Sequence, residues 1–275
     1  MRILHVLSDF ICFLFFHVFK YRRQVAMDNL SLAFPEKTEK EKTEIARKFY
    51  LNLTDTLVET IKMLSVSEKY LEKRVSGDWE VVNKLYDSGR NVQMHLGHHF
   101  NWEWCNAAFA KNTRFSFLAV YMPLGNKIFE RLMIAQRSKY GTILLKATNM
   151  QQEFEKYKDT QFLLGLAADQ NPATATNANW VIFFDRPTAF VTGPERGAKR
   201  NNALVVFTSI SKPRRGYYHV NIHLEEENPT ETKQGELTKR FSRYLESTIR
   251  KNPENWLWTH RRWKHEWKEE YGMYK

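Results

Sequence analysis

Between residues 91 and 224 short apolar runs alternate with stretches of helical period, and this alternation restricts the fold more than any other feature. Residues 91–96 alternate polar and apolar side chains as a strand does. The runs 115–120, 142–145, 162–168, 181–184, 203–210 and 217–224 read the same way. Between them, 102–110, 127–141 and 150–157 carry helical spacing, and 235–250 reads as a last helix before Pro253. Strands separated by helices imply crossover connections. The expected fold is therefore α/β, with a mostly parallel central sheet flanked by helices. Upstream, 36–64 reads as one amphipathic helix with Ile45, Phe49, Leu53, Leu57, Ile61 and Leu64 as its apolar stripe. Residues 75–81 read as a short strand. No repeat, low-complexity tract or linker divides the chain, so 21–275 is expected to form a single domain.

Residues 1–20 form a separate signal, an expected N-terminal membrane anchor. Thirteen of the 17 residues from Ile3 to Phe19 are apolar, five of them phenylalanine. As a helix this run reaches about 26 Å, short of a hydrocarbon core. His5, Asp9 and His17 interrupt it, and Lys20, Arg22 and Arg23 follow, which the positive-inside rule keeps in the cytoplasm. A spanning helix, an interfacial helix and a core helix all remain open. The polar interruptions favour a helix lying in the interface. No small-residue cleavage site follows, which argues against a removed signal peptide.

Composition narrows the partners. A mean hydropathy of −0.56 excludes a polytopic membrane protein. The formal net charge of +11 favours anionic partners: nucleic acid, an acidic protein or anionic lipid. Arg196, Lys199, Arg200, Lys212, Arg214 and Arg215 form basic clusters that read as a solvated face or as receivers of lipid phosphate or an acidic carrier. Near the C-terminus Trp256, Trp258, Trp263 and Trp267 are interleaved with Arg261, Arg262, Lys264 and Lys268. That pattern suits single-stranded nucleic acid or a membrane interface. Two cysteines, Cys12 and Cys105, give neither a disulfide framework nor a metal cage.

The residues that point to chemistry are Gly97-His98-His99-Phe100-Asn101-Trp102-Glu103. They put two histidines at a strand end, where sites of α/β sheets sit, and a carboxylate at the start of the next helix. A histidine takes a proton from a hydroxyl at neutral pH, and a carboxylate orients its ring. In a continuous helix His99 and Glu103 share a face. His98 reaches Glu103 only from the loop, so both histidines are candidate bases. His95, His98, His99 and Glu103 lack a recognised zinc spacing, and no metal or cofactor is expected.

The segment resembles the His-x4-Asp/Glu motif of the lipid A biosynthesis (late) acyltransferases and their lysophospholipid acyltransferase-like relatives. The likeness extends to Asn29-Leu30 with Phe34-Pro35, to Tyr121-Met122-Pro123-Leu124 with Arg137, and to Ala168-Asp169-Gln170. It continues in Phe183-Phe184-Asp185-Arg186-Pro187 and in Trp258 through Lys264, covering roughly residues 20–265. The resemblance implies transfer of a fatty acyl chain from acyl carrier protein or acyl-CoA to a lipid hydroxyl. It places the enzyme at the cytoplasmic face of a bacterial inner membrane. A lipid A precursor is the leading acceptor, with an amino-acid-linked lipid, a phosphoglycolipid or hydrolysis as alternatives. It also implies His98 as general base oriented by Glu103, Arg137 at the oxyanion and Asp169 as support. Asn101, Trp102, Gln170, Arg196 and Arg261 are the candidate substrate-binding residues. It favours an anionic membrane surface over nucleic acid as partner of the basic, Trp-rich end.

Overall fold

The structure, a computed structural model, describes residues 1–274, without the side chains of Arg2 and Gln151. The elements run α1 (Arg2–Phe13), α2 (Arg23–Ala33), α3 (Glu39–Met63), α4 (Glu68–Glu72), β1 (Val75–Gly77), α5 (Trp79–Leu85) and β2 (Val92–Leu96). Then come α6 (Trp102–Asn112), β3 (Ser116–Tyr121), α7 (Lys127–Ser138), β4 (Ile143–Lys146), α8 (Met150–Glu155) and β5 (Phe162–Ala167). The hairpin β6 (Ala178–Phe183) and β7 (Arg186–Val191) leads to α9 (Gly193–Arg200), β8 (Leu204–Arg214), β9 (Tyr217–Glu226) and α10 (Glu236–Lys251).

Seven strands form one sheet in the order β1-β9-β8-β2-β5-β3-β4. β8 and β9 pair antiparallel, and the other described pairs are parallel. Helices cover both faces, which is why the first four residues of β2 are all buried. One face carries Val205 and Phe207 of β8 packed on Leu237, Phe241 and Leu245 of α10. The other carries Met94, Val206 and Ile210 under Trp104, Cys105 and Phe109 of α6. The α/β expectation holds. Residues 186–191, not read as a strand, pair with β6 as a separate two-stranded sheet.

The stripe expected on α3 is rotated. Ala46, Phe49, Tyr50, Val58 and Met63 are buried, whereas Leu57, Ile61 and Leu64 are 43%, 68% and 44% exposed. The helix begins at a capping box between Thr38 and Glu41. Its inner face then carries charge. Asp55 is paired with Lys212 (3.0 Å) and Arg215 (2.7 Å), so two members of the basic cluster are spent inside the fold. Buried Glu59 accepts hydrogen bonds from Asn101 Nδ2 (3.0 Å) and Tyr218 (2.6 Å). Periodicity of apolar residues alone misplaces a helix whose buried face is an ion-pair network.

No single described helix is long and apolar enough to cross a membrane. The helical path of α1 continues to Val18 and then meets α2 at an 83° bend. α1 lies along α3: Ser8 donates to Asp55 (2.7 Å), His5 pairs with Glu59 (3.2 Å), and Asp9 pairs with Arg215 (2.6 Å). Cys12 and Phe16 are buried, while Ile3, Val6, Phe10 and Phe13 face outward. Among the polar interruptions, His5 therefore marks the inner face of an apolar helix together with Ser8, and Asp9 reaches Arg215 from its exposed edge.

Candidate active site

The parallel register of β2 with β5 builds the site. Leu96 is opposite Ala167, so the residues two places beyond each strand, His98 and Asp169, emerge side by side at the carboxyl edge of the sheet. Gly97 permits the turn: a Cβ there would stand 2.5 Å from Leu245 and 3.3 Å from Asp169 Oδ2. The amide of His98 donates to Asp169 Oδ2 (2.8 Å), and the ring Nδ1 lies 2.6 Å from Oδ1. Trp256 Nε1 donates to Oδ2 as well (2.7 Å).

These contacts fix the ionisation of the pair. Burial pushes the Asp169 carboxyl up, but the charge and hydrogen bonds of His98 outweigh it and hold the group well below the usual carboxylate range. Burial pushes the His98 imidazole down, and the Asp169 charge and hydrogen bond raise it above the ordinary histidine value. An ionised Asp169 requires Nδ1 to carry the proton. Nε2 of neutral His98 is then an acceptor, 3.3 Å from the Gln170 side-chain amide. The ring is 22% exposed, enough for a reactant to reach it.

Glu103, expected to orient His98, is engaged elsewhere. Arg137, in the last turn of α7, holds it with two bonds, Nε to Oε2 (2.9 Å) and Nη2 to Oε1 (2.6 Å). Trp102 Nε1 adds a third to Oε1 (3.0 Å). The orienting carboxylate of His98 is Asp169. Register places it next to the ring, whereas Glu103 on the first turn of α6 faces α7. Burial pushes the Arg137 guanidinium down, and Glu103 more than restores it, so the guanidinium stays charged. Arg137 Nη1 makes no hydrogen bond among the described residues, and Arg137 is part of the wall of the His98 cavity. Because Glu103 is buried, Glu103→Gln strands the guanidinium. We expect it to lower unfolding free energy by about 3 kcal/mol, measured by urea denaturation. A variant as stable as wild type would disprove the pair's structural weight.

The cavity beside His98 has a volume of about 140 Å³ and runs under α6, past Leu96, Met94, Phe109 and Phe117 to Gly165. Cys105 also lines it, but burial raises its thiol pKa and leaves it unreactive as a nucleophile. His99 turns away. It is 2% exposed, its Nε2 meets the Thr248 hydroxyl (3.2 Å), and burial lowers its pKa to about 4. It lines a separate 530 Å³ cleft with Tyr244 and Thr248 on the α10 face.

The expected substrate-binding residues divide. Trp102 lines the cavity edge-on to His98, and Gln170 touches the ring. Asn101 is fully buried as the N-cap of α6 and donates to Glu59, so it builds the helix start. Arg196 is exposed on α9, across the sheet from α6, and does not join the site. Arg261 is exposed and offers its carbonyl to Asn171. Its neighbour Arg262 is the buried one, donating to Asn171 Oδ1 (3.1 Å) and Ala189 O (2.8 Å) behind the Asp169 loop. Sequence reasoning missed Arg262 and Trp256 as supports of that loop. The density of tryptophan at 256–267 was the available signal, since Trp256 and Trp258 are core residues.

The model of the bacterial lipid A biosynthesis acyltransferases matches residues 1–265. This chain belongs to that family. No curated protein matches it significantly. For a lipid A biosynthesis acyltransferase, the match spans every residue of the His98–Asp169 and Glu103–Arg137 pairs.

Proposed function

We propose that this acyltransferase moves a fatty acyl chain from a thioester, carried by acyl carrier protein or CoA, to a hydroxyl of a lipid A precursor. The observation that carries the reading is the Asp169-held imidazole of His98 at the mouth of an apolar cavity whose wall includes Arg137. His98 Nε2 takes the hydroxyl proton as the acceptor oxygen attacks the thioester carbonyl. The C=O electrons move to oxygen, and the Nη1 hydrogens of Arg137 face that charge. The tetrahedral intermediate collapses, the C–S bond breaks, and imidazolium returns the proton to the thiolate. The products are an acyl ester and a free thiol. The apolar outer face of α1 supports an enzyme resting on the cytoplasmic face of the inner membrane.

Incubating the protein with acyl thioesters and a panel of lipid acceptors, read by mass spectrometry, tests the proposal. An acyl mass gained by a lipid A precursor supports it. Gain only on an amino-acid-linked lipid or a phosphoglycolipid would move the acceptor, and free fatty acid alone would make the chain a hydrolase. Chain length adds a second test. A Cβ at Gly165 would meet Met94 Cε at 3.1 Å and Phe117 Cζ at 3.3 Å, so Gly165→Ala drives both into the cavity. Competition between thioesters should shift toward shorter chains, by roughly fourfold per methylene excluded. An unchanged preference would place the acyl chain elsewhere.

A further inference from the structure

A third cavity, about 420 Å³, lies at the carboxyl edge of the same sheet, where β3 and β4 end against α7. Its wall includes Tyr121, Lys127, Glu130, Arg131, Lys146 and Thr148. Lys127 is paired with Glu130 (2.9 Å). The side chains of Arg131 and Lys146 make no hydrogen bond or close ion pair among the described residues, the Lys146 charge acting on Glu130 only at longer range, so two cations without a close partner line the cavity with Thr148. Two cations and a hydroxyl converging on a cavity suit a phosphate group.

Beside this cavity the protein surface is apolar. Met122, Ile128 and Phe129 are 67%, 82% and 56% exposed, and Leu124 and Leu132 are exposed with them. A patch of this kind, interrupted by cations, has the chemistry of a surface that enters a lipid monolayer. At its other end α7 is tied to α3 through Lys139, which donates to Leu64 O (3.2 Å), and there Leu57, Ile61 and Leu64 are exposed too.

This cavity and the one beside His98 both touch α7. Arg131 and Arg137 are six residues apart, about 9 Å along a helix. β3 is two strands from β2, so its end stands about 10 Å from that of β2. A lipid headgroup spans such a distance. We infer that the Lys127–Arg131–Lys146 cavity binds the phosphate of an anionic membrane lipid, with the exposed face of α7 against that lipid's chains. The inference rests on the acyl-transfer reading only in making this lipid the acceptor, its hydroxyl presented to His98.

The test titrates the full chain onto phosphatidylcholine vesicles with and without phosphatidic acid. Phosphatidic acid should strengthen wild-type binding, and Arg131→Gln/Lys146→Gln should remove about tenfold or more of that gain. Lys156→Gln/Lys158→Gln, an equal charge change before β5 at the opposite edge of the sheet, should leave it intact. Ile128→Ser/Phe129→Ser should weaken binding to both vesicles. Equal binding by wild type and Arg131→Gln/Lys146→Gln overturns the inference. So does a wild-type melting temperature raised by inorganic phosphate, and lost in that variant, with no vesicle difference, because the cavity would then hold soluble phosphate. Vesicle binding needs no turnover. A chain that binds as expected yet transfers no acyl group refutes the acyl-transfer reading and leaves the lipid cavity standing.

Discussion

His98→Ala should lower kcat/KM for acyl transfer by about 10²–10⁴-fold, the usual worth of a positioned general base. His99→Ala should keep most of the activity and instead lower unfolding free energy by about 1–3 kcal/mol. The two histidines are adjacent in sequence and opposite in circumstance. His98 is partly exposed at a cavity, with Nδ1 satisfied by a carboxylate and Nε2 beside the Gln170 side-chain amide. His99 is buried against α10, neutral at physiological pH, and bonded to Thr248. Steady-state kinetics beside thermal melts separate the cases. An inactive His99→Ala with a wild-type melting temperature, beside an active His98→Ala, would transfer the role to His99.

Asp169→Asn should cost a comparable factor, about 10²–10⁴-fold, for a reason of proton placement. Trp256 Nε1 and the His98 amide both donate to Oδ2, so an asparagine there keeps its oxygen on that side. Its NH2 then faces Nδ1 of His98. The ring must accept at Nδ1 and carry its proton on Nε2, which is the wrong tautomer for a base. The pH profile gives a second signature. In wild type the base must be neutral, so activity is full above the His98 pKa, which lies above 6.5, and falls as pH drops through it. Without the Asp169 charge, burial dominates and lowers that pKa, so the residual acid limb moves to lower pH. An acid limb that stays in place would show that another group titrates.

The residues of the site were legible in the sequence, but not their partners. His98, Glu103, Arg137 and Asp169 stand out through motif and spacing, and all four meet at the carboxyl edge of the sheet. Local spacing offered only Glu103 as the carboxylate for His98. The actual partner depends on β2 lying beside β5, a pairing across some 70 residues that no periodicity encodes. Local pattern also misled on α3, whose inner face is fixed by Lys212 on β8, Arg215 in the turn after it and the Tyr218 hydroxyl on β9.

The sequence by itself determined the alternation of strands and helices, the apolar first helix and the set of candidate site side chains. Each of these follows from neighbours within a few residues, through backbone period, glycine and side-chain chemistry. The tertiary structure alone decided that Asp169 rather than Glu103 holds His98, that Glu103 is spent on Arg137, and that Trp256 braces the carboxylate. It also decided that His99 is core. Those outcomes turn on strand register and helix packing, which bring together groups distant in sequence and leave each buried polar atom to the partner that geometry supplies.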